Sequence, residues 1–200
     1  MQITAIKAQV KNPERVSVYV DGEYSFSLSY NQLLEQKLRT GLELDAARLS
    51  ELQHISEVGK LYDRLLRYVL VRPRSRKEVV DYCRRKKIGP EDYEPLLEKL
   101  RGRGYINDEH FAKAWVENRR LNKPVSQRRL QQELAQKGVS PALVAEVLED
   151  QGADDEQAAL KAMITKKRRL ARYQDDTKLT QYLLRQGFGY DAVRQQLRDE

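Results

Sequence analysis

The chain has 200 residues, a formal net charge of +7 and 40% hydrophobic residues, a composition that allows roughly one to three small folded domains. It contains no apolar run near the ~18 residues that a membrane span needs, and residues 1–10 lack the basic region and apolar core of a secretory signal. Its single cysteine, Cys83, excludes an internal disulfide. These features predict a cytoplasmic protein without a membrane segment.

The first 57 residues differ from the rest of the chain in pattern and in charge. They hold six Lys or Arg against eight Asp or Glu, whereas the remainder holds 31 against 22. Asp21-Gly22 predicts a tight hairpin, and after Ser29 the spacing of the leucines becomes helical. This region is therefore predicted to be β-rich with short helices. Runs of β-branched and aromatic residues predict its strands, at residues 3–10, 15–20 and 24–28.

In the remaining chain, one pattern recurs three times at a spacing of about fifty residues. Ser75, Ser126 and Asp175 occupy equivalent positions, and each has a side-chain oxygen that can cap the first turn of a helix. Apolar residues follow at helical spacing, which predicts one buried stripe per helix. The aligned triplets are Val79, Leu130 and Leu179; Cys83, Leu134 and Leu183; Ile88, Val139 and Phe188; Tyr93, Val144 and Val193; and Leu97, Leu148 and Leu197.

A tight turn is predicted to divide each copy into two helices. Gly138 and Gly187 stand where a left-handed residue is needed, and Lys87 holds that place in the first copy. Pro90 and Pro141 follow at the first position of the next helix, where proline loses no hydrogen bond.

A further helix is predicted before each pair, at residues 60–71, 109–121 and 157–170. The predicted fold is therefore mainly α: three tandem three-helix repeats in an elongated array, preceded by a small N-terminal region that contains a β-hairpin. Units of this size bury small cores, so the repeats are expected to pack on one another. The predicted boundaries are 1–57, 58–106, 107–152 and 153–200.

The positive charge is concentrated at the predicted helix ends. Neighbouring cations repel one another unless an anion neutralises them, so the clusters predict a surface for nucleic-acid backbone or acidic protein. The alternative interpretation is that cations at helix C-termini complement the helix dipole and keep the surface soluble. The clusters comprise Arg72 and Arg74; Arg84, Arg85, Lys86 and Lys87; Arg119, Arg120 and Lys123; Arg128 and Arg129; and Lys166, Lys167, Arg168 and Arg169.

Three ordered motifs lie within the repeats. They are Arg74-Ser75 with Glu78-Val79; Leu96-Leu97, Leu100, Gly104-Tyr105-Ile106-Asn107-Asp108, Phe111-Ala112 and Trp115-Val116; and Arg128-Arg129-Leu130, Glu133-Leu134 and Lys137-Gly138-Val139. In this order and spacing they resemble the signature of the RecX family, regulatory proteins that act on the RecA recombinase. Residues 1–57 also look like the front end of the longer members. Asn107, Ser126 and Lys87 depart from the family pattern without removing a residue on which chemistry depends.

The resemblance implies a modulator rather than a catalyst. RecX-like proteins bind RecA filaments on single-stranded DNA, lie in the filament groove and usually inhibit ATP hydrolysis and strand exchange in recombination, DNA repair and the SOS response. The basic clusters would then bind the filament or single-stranded DNA, or double-stranded DNA without sequence preference. No cofactor or metal is implied.

Other parts of the chain are expected to be structural. The motif residues Tyr105, Ile106, Phe111 and Trp115 are predicted to pack at the joint between the first two repeats, and Asp108 to cap a helix. The absence of heptads argues against a coiled-coil dimer and favours a monomer. The acidic N-terminal region is compatible with a filament contact, a lid on the first repeat or a separate partner site.

A free-standing DNA-binding protein is the alternative function. The turns at Gly138 and Gly187 allow a helix-turn-helix reader of duplex DNA. The helix predicted after Gly138, however, offers Ala, Leu, Val and Glu rather than side chains that read bases.

An enzyme is the third possibility, and the sequence supports it least. It has no glycine-rich phosphate loop, no His-Glu-x-x-His or Cys-x-x-Cys motif, and only two histidines, His54 and His110. The acidic pairs Asp154-Asp155 and Asp175-Asp176 stand at predicted helix starts, where carboxylates are stabilised electrostatically.

Overall fold

The computed structural model describes residues 1–122, 125–149 and 154–199, with residues 154 and 155 described as backbone only. The chain divides into two compact units: an N-terminal unit of residues 1–68 and 90–96, and a repeat unit of residues 69–89 and 97 onward. Within the described part of the chain, no helix is long and apolar enough to cross a membrane. The same residues contain no group of three or more His, Cys, Asp or Glu that could hold a metal ion.

The N-terminal unit begins with a three-stranded antiparallel sheet in the order β1 (Ile3–Ala8), β2 (Arg15–Val20) and β3 (Glu23–Ser29). Asp21 and Gly22, with φ of 50° and 89°, form the predicted tight turn between β2 and β3. All three strands lie at the predicted positions, with ends that differ from the predicted ones by no more than two residues. The core of this unit consists of Ile3, Val16, Val18, Val20, Phe26, Leu28, Leu38, Leu44 and Leu52.

Two helices follow the sheet, α1 (Tyr30–Glu35) and α2 (Ala46–Leu70). The prediction of a helix at 60–71 is wrong at its start, because α2 runs uninterrupted across the predicted boundary at residue 57. Its cap is Asp45, whose carboxylate accepts a hydrogen bond from the Arg48 N–H at 2.7 Å.

Gly59 lies in the middle of α2 without breaking it. The side chain of Gln32 passes over this glycine, and a Cβ there would lie 2.6 Å from Nε2. The Gln32 amide accepts from the Ser29 N–H at 3.0 Å and donates to the Ile55 carbonyl at 3.3 Å. The glycine therefore marks close packing of α1 against α2 rather than a helix end.

The described part of the remaining chain is mainly helical, as predicted. The predicted helices at 109–121 and 157–170 correspond to α5 and α8 in the following series. It consists of α3 (Arg76–Arg85), α4 (Pro90–Gly102), α5 (Asp108–Asn122), α6 (Gln127–Gln136), α7 (Pro141–Glu149), α8 (Asp154–Arg168), a 3-10 turn (Ala171–Tyr173), α9 (Asp176–Arg185) and α10 (Tyr190–Arg198).

The predicted register is confirmed at the starts of α3, α6 and α9. Ser75, Ser126 and Asp175 are the N-caps, and each side-chain oxygen accepts from the N–H three residues later, at 3.2, 3.2 and 3.0 Å. Of the fifteen aligned apolar residues, only Ile88 and Leu197 are half-buried, and the others are buried. The second and third repeats each enclose a separate hydrophobic core.

The two N-cap serines also connect successive repeats. Ser75 Oγ donates to the carbonyl of Lys137 at 2.7 Å, and Ser126 Oγ donates to the carbonyl of Gln186 at 2.7 Å. Lys137 and Gln186 are the C-cap residues of α6 and α9. We call the Ser75–Lys137 contact region the first joint and the Ser126–Gln186 region the second joint.

Gly138 and Gly187 allow this close approach. Both have a left-handed backbone, with φ of 81° and 93°. A Cβ at Gly138 would lie 2.7 Å from Lys77 Cβ, and one at Gly187 would lie 2.7 Å from Ser126 Oγ. Both joints thus need glycine for conformation and for space, whereas the equivalent Lys87 (φ 57°) is exposed.

Candidate nucleic-acid interface

Helix α3 ends in four consecutive exposed cations. The Asp81 carboxylate is 3.9 Å from Arg84 Nη1, and the Arg84 side chain stays 70% exposed. A hydrogen bond from Lys77 lowers the pKa of Asp81, and the charges of Lys77 and Arg84 act in the same direction. The helix dipole favours cations here, but one carboxylate leaves most of the charge uncompensated. The four residues are Arg84, Arg85, Lys86 and Lys87.

The predicted pair Arg72 and Arg74 lies at the first joint. Two Nη atoms of Arg72 lie 2.9 and 3.2 Å from the Glu78 carboxylate, and Lys137 donates to the same carboxylate at 2.7 Å. Burial raises the pKa of Glu78, but the hydrogen bonds from Arg72 and Lys137 outweigh burial and hold this pKa below its ordinary value. Arg74 is half-buried and has a partner within the protein. The structure thus uses Arg72 to support a joint.

In the second repeat, two of the predicted binding cations, Arg119 and Arg129, lie next to the carboxylate of Glu133. Its carboxylate accepts from Arg119 Nε at 2.8 Å and from Trp115 Nε1 at 3.0 Å, and Arg129 Nε lies 3.5 Å away. The Arg119 guanidinium also lies 5.1 Å from the centre of the Trp115 ring. Arg119 and Arg129 are therefore held on the surface of α5 and α6 by a shared carboxylate.

The other members of this predicted cluster differ in exposure. Arg120 is half-buried and has a partner within the protein, whereas Arg128 is exposed. Lys123 lies outside the described residues. Arg128 also lines the second joint, since a Cβ at Gly187 would lie 3.3 Å from its Cβ.

Of the four cations at the end of α8, Lys167 and Arg168 contact other groups of the protein, and Lys166 and Arg169 are exposed. Arg168 donates to Asp176 at 2.7 Å and to two carbonyls of the following turn at 3.1 and 3.3 Å. Lys167 lies 4.5 Å from the centre of the Tyr182 ring. Lys166 and Arg169 are exposed. Lys167 and Arg168 thus fix the turn after α8, whereas Lys166 and Arg169 face solvent.

Comparisons with known proteins identify the family of this chain. A family model described as the regulatory protein RecX N-terminal domain matches residues 1–45, and one described as the second three-helix domain of RecX matches residues 107–148. A regulatory protein RecX from Bacillus licheniformis is 32% identical over 98% of this chain and 76% of its own length. The chain belongs to the RecX family. Another RecX relative, from Bacillus subtilis, is 30% identical over 96% of this chain and 74% of its own length.

Solved structures of RecX proteins share the fold. One crystal structure, titled regulatory protein RecX, superposes with a TM-score of 0.81 at 27% identity and covers 100% of this chain and 99% of that one. The crystal structure of RecX from Lactobacillus salivarius gives a TM-score of 0.62 at 22% identity, over 72% of this chain and 96% of that one. The latter likeness supports the fold alone.

The RecX motif after α4 builds the core of the second repeat. Phe111 is buried in that core and Trp115 is half-buried against it, with ring centres 5.7 Å apart. Trp115 also lies at the first joint, with its ring centre 4.9 Å from Lys137 Nζ. The prediction of packing at the joint is wrong for Tyr105, which is 41% exposed, whereas the residue after it, Ile106, is only 3% exposed.

Asp108 of the motif is a cap, as predicted, but for a helix of the neighbouring repeat. Asn107 caps α5 by accepting from the His110 N–H at 3.0 Å. Asp108 instead accepts at 2.8 Å from the N–H of Arg76, the first residue of α3. The motif acid therefore satisfies a free amide at the start of α3 and forms part of the first joint.

The sequence reasoning missed the residues that hold the joints. The carboxylate of Glu156 accepts a hydrogen bond from the N–H of Gln127 at 3.4 Å. This contact is equivalent, in the next repeat, to the one between Asp108 and the N–H of Arg76. The available signal was the acid placed at the start of α5 and α8 in two successive repeats. Several cations of the predicted clusters are exposed: Arg72, Arg84, Arg85, Lys86, Lys87, Arg128, Arg129, Lys166 and Arg169.

Proposed function

We propose that this RecX family member binds RecA filaments on single-stranded DNA and inhibits their ATP hydrolysis and strand exchange. The observation that carries the proposal is the run of four exposed cations at the end of α3, where Arg84 Nη1 stays 3.9 Å from the carboxylate of Asp81. Relatives that match nearly the whole chain are named regulatory protein RecX. On this proposal, the protein regulates RecA as a monomer in the cytoplasm. It needs no cofactor or metal to do so.

The exposed cations are proposed as the binding residues. Arg84 to Lys87 would bind filament or DNA phosphate first, assisted by Arg128, Lys166 and Arg169. Arg72, Arg119, Arg129 and Arg168 are paired with carboxylates of the protein and would contribute less. Since contacts to phosphate release counterions, binding should weaken steeply with salt.

The joints supply the second element of the proposal. Several weak contacts made by connected repeats raise the effective concentration of each next contact. Ser75 and Ser126 keep successive helix pairs in register at 2.7 Å contacts. A chain with these joints would engage more than one subunit of a filament without a strong single site.

The test is single-stranded-DNA-dependent ATP hydrolysis by the cognate RecA, with this protein titrated at substoichiometric levels. A fall in hydrolysis at a small fraction of the RecA concentration is expected. No change, together with intact DNA binding, would favour the alternative of a free-standing DNA-binding protein. Tight sequence-specific binding to duplex DNA without RecA would support that alternative directly.

Charge-reversal variants test which of these cations bind the filament or DNA. Arg84→Glu combined with Lys86→Glu should weaken filament binding about tenfold at low salt, because two phosphate or carboxylate contacts become repulsive. Arg194→Glu combined with Arg198→Glu is the matched control, since both residues are exposed on α10 outside the proposed site. Equal effects of the two double variants would contradict the assignment.

A further inference from the structure

A groove in the N-terminal unit lies between the strands and α2 and plays no part in the function proposed above. It has a volume of about 310 Å³ and shares Arg15 and Asp63 with an adjoining depression. All of its lining residues belong to the N-terminal unit. None of its lining residues belongs to the basic clusters predicted in the repeats.

One wall of the groove is a ladder of cations. Lys60, Arg64 and Arg67 line it and are all exposed. They stand at i, i+4 and i+7 on α2, so they share one helical face over about 10 Å of helix axis. This stripe was absent from the sequence-based site, which placed the binding cations in the repeats.

The carboxylates of the groove do not cancel this charge. Asp63 is occupied by Arg15, whose Nη1 lies 2.7 Å from the carboxylate. Glu14 lines only the adjoining depression. With Arg15 counted, four cations face two carboxylates, and the groove has a net positive charge that favours an anionic ligand.

The floor of the groove is fixed before any ligand binds. Arg15 is only 4% exposed and donates to the Ser27 carbonyl at 2.6 Å as well as to Asp63. These bonds tie β2 to both β3 and α2. The groove is thus preformed, which lowers the ordering cost of binding.

An exposed aromatic ring distinguishes the groove from a simple anion site. Tyr24 lines the groove and is 52% exposed. Tyr19 packs against it edge to face, with ring centres 6.2 Å apart, which holds the Tyr24 ring in place. The carboxylates of an acidic peptide would gain little from contact with the Tyr24 ring, and the bases of duplex DNA are stacked inside the helix and unable to reach it. Single-stranded nucleic acid can place its phosphates on the cations and stack a base on the ring.

We propose that this groove binds single-stranded nucleic acid, with phosphates on Lys60, Arg64 and Arg67 and a base stacked on Tyr24. The inference rests on the proposed function, in which the protein acts on a filament that contains a single strand. It assigns a binding role to the N-terminal unit.

The test is the salt dependence of binding between the full chain and a labelled oligothymidylate of about 12 nucleotides. Arg64→Gln combined with Arg67→Gln should reduce the slope of log K against log salt by about 1.4, since each lost single-strand phosphate contact removes about 0.7. Lys37→Gln with Arg39→Gln is the control, because both residues are exposed in the same unit but lie outside the groove.

Stacking is tested separately. Tyr24→Leu should weaken oligothymidylate binding by about 5-fold to 100-fold, and Tyr30→Leu, at a residue that is 44% exposed and outside the groove, should leave it unchanged. Thermal unfolding of each variant shows whether the fold is intact.

The outcomes separate the groove from the proposed function. If the groove variants and their controls bind oligothymidylate equally, the groove inference is wrong even where RecA hydrolysis is inhibited. If polyglutamate binds the wild-type chain more tightly than oligothymidylate does, and Tyr24→Leu leaves both affinities unchanged, the ligand is an acidic protein segment and the inference is again wrong. If the groove variants lose DNA binding while RecA hydrolysis never responds to the wild-type protein, the groove stands and the filament proposal fails.

Discussion

The two joints use the same backbone contacts and different charges. In both, an N-cap serine donates to the C-cap carbonyl of the next repeat at 2.7 Å, and a glycine makes room for it. Only the first joint has the ion pair between Glu78 and Lys137, because Arg129 and Gln186 occupy the equivalent positions at the second. The small residues thus fix the geometry of both joints, and the charges add stability to one of them.

The amide contact beside the serine follows the same trend. Asp108 accepts from the start of α3 at 2.8 Å, whereas Glu156 accepts from the start of α6 at 3.4 Å. A bond of 3.4 Å lies beyond the usual range for N–H donors. The second joint is therefore expected to open more readily than the first.

The largest effect is expected from filling the space at a joint. Gly138→Ala should lower the free energy of unfolding by about 2–4 kcal/mol, because its Cβ would meet Lys77 Cβ in addition to adopting a left-handed backbone. Gly104→Ala, with a φ of 77° and no atom within 4 Å of the added Cβ, should cost only about 1 kcal/mol. Chemical denaturation measures both, and equal losses would show that the joint is not tightly packed.

Removing the serine hydroxyl should have the next largest effect. Ser75→Ala and Ser126→Ala should each cost about 2 kcal/mol, since each loses a cap and a donated hydrogen bond. Asp175→Ala, which loses only the cap, should cost about 1 kcal/mol. In hydrogen exchange, Ser126→Ala should expose α9 more than Ser75→Ala exposes α6, because Glu78 still holds the first joint. The reverse order would contradict the comparison.

Acid should weaken the first joint specifically. The pKa of Glu78 is held below its ordinary value in the folded protein, so its stabilising contribution is complete above the unfolded pKa and is lost as the pH falls through the folded value. Glu78→Gln should cost about 1–2 kcal/mol near neutral pH. This difference from wild type should shrink in urea unfolding as the pH falls below the ordinary glutamate pKa of 4.5. A difference independent of pH would show that the charge of Glu78 does not stabilise the joint.

The smallest effect is expected at Lys87, the exposed residue that stands where Gly138 and Gly187 stand in the other repeats. Lys87 has a φ of 57° and is exposed, so Lys87→Gly should raise the free energy of unfolding by about 1 kcal/mol through relief of the left-handed conformation. A shift in the thermal midpoint would report this change. A loss of stability would indicate that the lysine side chain makes a contact that the turn needs.

The sequence predicted the features that depend on local chemistry. Ser75, Ser126 and Asp175 were recognisable as caps from residue type and spacing, and Gly138 marked a turn because few other residues adopt its backbone. The buried stripes followed from helical periodicity. These signals lie within about 25 residues of one another, so no knowledge of tertiary contacts was needed.

Features that depend on distant partners were not predictable in this way. The bond from Ser75 to Lys137 joins residues far apart in sequence, and a hydroxyl that caps one helix gives no sign of a second acceptor. The sequence around Gly59 likewise does not indicate that the side chain of Gln32 packs over this glycine. The cationic stripe of α2 was missed because two or three other residues separate its members in the sequence, so they form a cluster only on the helix.

The third cap limits how the series of repeats can grow. The Lys178 N–H lowers the pKa of Asp175 by hydrogen bonding to its carboxylate, so this residue stays ionised and has no proton to donate. A fourth repeat joined through the same contacts would bring a C-cap carbonyl against a carboxylate, and two acceptors would face each other. Duplication of a repeat at this position would therefore require an exchange of aspartate for serine before the added unit could join the others.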